Sequence, residues 1–80
     1  MTYLKVFGYP PDRYDTIALM FQNLGDTTEP EPSETGLWFT IGFRQPLEAE
    51  RALRRNGNLM EDAYLLGVAR IVGILSYLHR

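Results

Sequence analysis

Leu37-Trp38-Phe39-Thr40-Ile41-Gly42-Phe43 decides how this chain folds. Bulky apolar side chains alternate with a different set along the stretch, and β-branched and aromatic residues dominate it. A period of two is the mark of a strand with one covered face. Phe39, Ile41 and Phe43 form the better core set, so Trp38, Thr40 and Gly42 point the other way. Gln45 and Pro46 then open a helix, because proline suits the first helical position. Leu47, Ala49, Ala52 and Leu53 are its expected buried stripe, and Glu50 and Arg54 stand i, i+4 in the favourable order. Asn56-Gly57 closes it in a turn.

Before this unit, Asp26 to Gly36 is acidic and interrupted by Pro30 and Pro32. Proline donates no ladder hydrogen bond, so any strand here is short and sits at a sheet edge. Glu29 to Glu34 reads as a solvated loop. Further back, Tyr3-Leu4-Lys5-Val6-Phe7 alternates as a first strand, ended by Gly8-Tyr9-Pro10-Pro11. Asp12 is the expected N-cap of a first helix, with Tyr14, Ile17, Ala18, Phe21 and Leu24 at helical spacing and Gly25 as its stop. After the second helix, Leu59-Met60 is a short extra strand before Glu61-Asp62. Tyr64 to Arg70 then reads as a last full strand, with Tyr64, Leu66 and Val68 inward.

The order βαββαβ on one short chain indicates an α+β, ferredoxin-like split-βαβ fold. It carries a four-stranded antiparallel sheet in the order 4-1-3-2 with two helices on one face. That order puts the proline-bearing second strand at an edge, where the prolines independently require it. The domain is expected over residues 1–70. Residues 71–80 are a tail in which Ile71, Ile74, Leu75 and Leu78 have the spacing of a third, amphipathic helix, and an alternative to an open sheet face is that this tail folds back over it.

The same alternation leaves Phe7, Trp38, Leu65, Gly42 and Gly67 on the open face of the sheet, with Lys5 near its centre. An open antiparallel face is normally polar, and a contiguous apolar one marks an interaction site. Full burial of Trp38 on association would withdraw ~200 Å², about 5 kcal/mol gross.

Composition narrows the function classes. The chain has 80 residues, 45% of them hydrophobic, and a net charge of -2. Such a chain is one globular domain of marginal stability. Its basic residues are scattered apart from Arg51, Arg54 and Arg55, so it lacks the basic field that attracts nucleic-acid phosphates. Without cysteine it has no disulfide, thiol nucleophile or thiolate metal site, and a reducing compartment fits. No apolar run approaches a membrane span, and the first residues do not read as a signal peptide. His79 stands alone near the end. Glu61-Asp62 and the Glu29, Glu31 and Glu34 set lie in loop sequence, Gly8 and Gly25 fit no phosphate loop, and Arg13 reads as helix-start surface. No catalytic, cofactor or metal residue is expected.

This organisation resembles an RNA recognition motif (RRM), a domain that stacks bases on aromatic residues of its first and third strands. The corresponding positions hold Lys5, Trp38 and Thr40, and Glu34-Thr35-Gly36 replaces the usual basic lead-in. More specifically, the chain resembles the atypical RRM of the MPPN (mitotic phosphoprotein) family of nuclear-pore scaffold nucleoporins. The resembling stretches are Val6-Phe7-Gly8-Tyr9-Pro10, Thr35-Gly36-Leu37-Trp38, Gln45 to Leu53 and Leu66-Gly67-Val68, within a coverage from Tyr3 to Arg70.

The resemblance implies a non-enzymatic scaffold domain of the nuclear pore complex, in the nuclear envelope, that supports nucleocytoplasmic transport. It implies a homodimer through the sheet face in place of RNA binding, and other nucleoporins as partners. Carried over by position, the dimer surface comprises Lys5, Phe7, Trp38, Thr40, Gly42, Leu65 and Gly67. It implies no small-molecule substrate and no membrane contact by this domain. Two alternatives stay open: an RRM that binds single-stranded RNA, and one that grips a different protein with the same face.

Overall fold

The computed structural model describes residues 1–72. Ile71, the first residue of the tail, donates its N–H to the Tyr3 carbonyl at 3.0 Å; the rest of the expected third helix, the covering of the sheet by it and the placement of His79 fall on residues outside the described range. Strand β1 (Thr2–Phe7) leads through a 3-10 turn (Pro11–Arg13) into helix α1 (Tyr14–Gln22). There follow β2 (Glu31–Pro32), β3 (Trp38–Phe43), α2 (Pro46–Leu53), β4 (Leu59–Met60), β5 (Tyr64–Leu65) and β6 (Gly67–Arg70). The main sheet has the order β2-β3-β1-β6 with antiparallel pairing throughout. This is the expected 4-1-3-2 arrangement, and the two-residue β2 lies at the edge, as its proline demands.

Alternation in the central strands builds the core. Leu4, Val6, Phe39, Ile41 and Phe43 are buried beneath Ile17, Ala18 and Phe21 of α1 and Ala49 and Ala52 of α2. Tyr9, in the turn after β1, joins them with its ring centroid 5.7 Å from that of Phe39. Tyr14 and Phe21 meet the same phenylalanine edge-on at 5.5 and 6.2 Å, the geometry that aromatic quadrupoles favour. Burial, with Tyr14 beside it, pushes the Tyr9 hydroxyl pKa up to about 12.

Several expectations are corrected. The stretch from Tyr64 to Arg70 is not one strand. Tyr64 and Leu65 pair with Met60 and Leu59 in a separate hairpin, and the chain joins the main sheet only at Gly67. Leu66 marks the crossing, donating its N–H to the Asn58 carbonyl and accepting from the Gly57 N–H. Leu66 and Val68 do point inward, but Tyr64 is only half-buried.

Leu47 is 74% exposed, not part of the buried stripe. It stands two positions, about 200°, from Ala49 on the helix, and the alanines face the sheet. Asp12 does not cap α1. It sits inside the 3-10 turn, Arg13 occupies the cap position, and the Asp12 carboxylate accepts from the Arg13 guanidinium Nη1 at 3.2 Å. The helix ends at Gln22, before Gly25, which instead lets the Glu48 side chain approach its backbone. Glu50 takes Arg70 at the end of β6 in place of Arg54.

Candidate interaction surface

Residues paired directly across antiparallel strands share a face, so the register assigns the open surface without ambiguity. Phe7 stands opposite Trp38 on one side and Gly67 on the other. The next row on that face runs Glu31, Thr40, Lys5, Ala69, and the one after it holds Gly42 and Tyr3. Of the seven residues named from sequence, Lys5, Phe7, Trp38, Thr40, Gly42 and Gly67 are thus brought together on the sheet. Leu65 belongs to β5, off the end of the sheet, where it is 64% exposed opposite Leu59 of the hairpin.

The glycines are floors on which rings lie. A Cβ on Gly67 would collide with the Phe7 ring. One on Gly42 would sit 2.9 Å from the Tyr3 ring and 3.0 Å from the Met1 sulfur. Gly36 likewise lets the Trp38 indole come within 3.0 Å of where its Cβ would be. Rings laid against backbone are partly covered by their own chain: Phe7 is 38% exposed and Trp38 is half-buried. The area Trp38 could still bury is therefore well below the ~200 Å² expected for a projecting indole.

The face is also less uniformly apolar than alternation suggested, because Glu31, Thr40 and Lys5 form a polar stripe across its middle. Lys5 answers this by folding over its neighbours. Its ammonium lies 4.5 Å from the centroid of the Trp38 ring and 5.7 Å from that of Phe7, a cation–π arrangement that covers the indole. Alternation names the positions on a face but not how a ring leans. The Gly36 seat and the Lys5 cover carried no signal in sequence.

The end of the sheet beside Phe7 is fixed by Gly8, at φ +91°, where a Cβ would also strike the Leu65 carbonyl oxygen. The hairpin there is pinned to the start of α1. Arg13 donates to the Glu61 carboxylate from Nε at 2.8 Å and from Nη2 at 3.1 Å. This hydrogen-bonded fork holds the Glu61 carboxyl below its ordinary pKa, so Glu61 ties the hairpin to the helix start. Glu29, Glu31 and Glu34 are exposed along the β2 edge and converge on nothing.

Residues 1–76 match the sequence profile of the Nup53/35/40-type RNA recognition motif. The chain belongs to this family. It is an atypical RRM of nucleoporin type, from a family that is non-enzymatic in kind, and its setting is the nuclear pore complex. Nucleoporin NUP35 of Danio rerio is 33% identical over 67 residues, which cover 84% of this chain and 22% of that protein. Nucleoporin NUP35 of Homo sapiens is 30% identical over the same share of the chain and 21% of its own length. The chain thus spans about a fifth of these relatives. The crystal structure of the Nup53 RRM domain from Pichia guilliermondii superposes with a TM-score of 0.75 over 98% of this chain and 99% of that one, at 22% identity. That likeness bears out the ferredoxin-like fold read from the strand order. Within this Nup53/35/40-type RRM, only Trp38 of the three usual stacking positions is aromatic, and Lys5 covers it.

Proposed function

We propose that this RRM is a non-enzymatic scaffold module of a nucleoporin, that it homodimerises through the open face of its sheet in place of binding RNA, and that it thereby supports nucleocytoplasmic transport. The observation that carries the reading is the Phe7–Trp38 pair. Two large rings lie side by side on the open face, neither covered by the helices, with glycines beneath them that keep the surface low enough for another sheet to approach. Lys5, Thr40, Gly42 and Gly67 complete the surface, and Leu65 and Leu59 extend it beyond the end of the sheet. Other nucleoporins are the remaining partners, and the domain acts on no small molecule.

The size of the face sets the strength. Strands of six, six, four and two residues present a projected area of roughly 290 Å². Even with the hairpin added, this is below the ~800 Å² per partner of a standard interface. The dimer is therefore weak to moderate, and concentration decides its population.

Trp38→Glu tests it. The variant stays folded, because position 38 lies outside the helix-covered core and the new carboxylate meets Lys5, but the indole is lost and a charge now enters a contact that must shed its water. Light scattering against concentration is expected to show wild type moving from monomer to dimer and the variant remaining monomeric. A wild type that is monomeric at high micromolar concentration overturns the reading. Salt-sensitive binding of random-sequence RNA that Trp38→Glu abolishes would transfer the face to single-stranded RNA.

A further inference from the structure

The two arginine populations of this chain behave differently. Among the described residues, Arg13, Arg44 and Arg70 each hold a carboxylate, of Glu61, Asp26 and Glu50 respectively. Among the same described residues, Arg51, Arg54 and Arg55 hold none, although α2 carries two carboxylates close by. Both are turned elsewhere: Glu50 to Arg70, and Glu48 to the Asp26 backbone N–H at 2.9 Å. These three arginines line one open depression of about 310 Å³ together with Asn58 and Leu24. It lies at the end of α2, on the helical side of the sheet and away from Phe7 and Trp38.

We propose that this depression binds a phosphate carried on a peptide, that is, a phosphoserine or phosphothreonine segment of a partner. Arg51 and Arg54 are spaced i, i+3 and Arg51 and Arg55 i, i+4, so the spacing alone brings them to one helical face. Compensation of the helix dipole does not account for them. The C-terminal end of a helix amounts to about half a negative charge, which one cation offsets. Its last carbonyls are already taken, the Glu50 and Ala52 oxygens by the backbone N–H groups of Arg54 and Arg55. Three planar forks exceed what a single carboxylate can accept and suit a dianion with three oxygens. Asn58 supplies a neutral amide beside them, and Leu24 an apolar contact for the chain that carries the phosphate. An RNA phosphate would come with bases, for which the depression has no aromatic platform. An anionic membrane is normally met by four to eight basic residues, against three here on a chain of net charge -2.

The test uses the 80-residue chain, labelled for amide NMR. A tripeptide amide with a central phosphoserine is expected to give saturable shifts at Leu24 and across Arg51 to Asn58, and its unphosphorylated form none. Arg51→Gln/Arg54→Gln, both exposed positions, is expected to weaken the interaction about tenfold or more with an unchanged circular dichroism spectrum. Trp38→Glu is expected to bind as wild type does, which separates this site from the sheet face. Shifts that sodium chloride of equal ionic strength reproduces would overturn the proposal. So would arginine-dependent sedimentation with phosphatidylserine-containing vesicles in the absence of phosphopeptide binding.

Discussion

Gly67→Ala isolates the claim that glycine shapes this surface. Gly67 has no positive φ, so its backbone accepts alanine, and the obstacle is the Phe7 ring that a Cβ would strike. Phe7 is 38% exposed, so about three-fifths of its ~200 Å² is covered in the native fold. Complete expulsion of the ring would forfeit ~3 kcal/mol, and a ring that swings aside but keeps half its cover ~1.5 kcal/mol. The smaller loss corresponds to a fall in Tm of about 6–12 °C for a domain of this size. The decisive measurement is the double-mutant cycle with Phe7→Ala, by thermal or denaturant unfolding, with light scattering recorded alongside to hold the species constant. In the Phe7→Ala background the ring no longer occupies that space, and alanine should gain about 0.5–1 kcal/mol over glycine through the smaller freedom of the unfolded chain. The expected signature is thus a change of sign between backgrounds. Equal destabilisation in both would mean that Gly67 is required for its backbone and that the ring-on-glycine account is wrong.

Other perturbations probe the scaffold that holds the face. Gly8→Ala combines a positive φ with a backbone collision at the Leu65 carbonyl, which cannot swing aside. It should cost at least ~2 kcal/mol in urea unfolding, and a loss below half that would show that the β1 end relaxes freely. Asn56→Ala removes the acceptor of the Val68 N–H at 2.9 Å and should cost about 1–2 kcal/mol, with hydrogen exchange at Val68 accelerating first. Tyr9 has a folded pKa raised to about 12 from an ordinary 10.0, so its contribution is intact below pH 10 and lost as pH rises towards 12. Urea midpoints should therefore fall over that interval, and Tyr9→Phe should flatten the slope.

The parts of the fold legible in sequence are those that a single physical rule determines. Phe39, Ile41 and Phe43 alternate with nothing to compete, and Pro32 is incompatible with a central strand, so the sheet order and the buried face both follow. The rest turned on competition between partners. Tyr64 to Val68 keeps a period of two while its partner strand changes at Leu66, and periodicity carries no information about partners. Glu50 had a local arginine four residues away and took a distant one, because β6 ends over α2 in three dimensions only. Leu47 follows a helix-starting proline and looks like a stripe member until the direction of the sheet fixes the phase. On the surface, alternation placed six of the seven proposed residues together. It could not show that Trp38 leans on Gly36 beneath Lys5, since ring orientation depends on neighbours from two other segments.

Lys5 decides which kind of partner the face suits. The ammonium over the indole is worth ~0.5–2 kcal/mol, and a stacking base must displace it. The freed lysine could then meet a phosphate, which would recover part of the loss. The surrounding charge works against that recovery. Glu31 lies in the same row as Lys5, and Glu29 and Glu34 border the adjoining edge, so an approaching RNA backbone meets three carboxylates for one ammonium. A second protein surface need not displace Lys5. It can pack against the alkyl stem and the exposed part of Phe7 while the ammonium stays on the ring, solvated at one side. The cation that disables the stacking platform is thus compatible with a flat protein contact, and it keeps the unpartnered face from being wholly apolar.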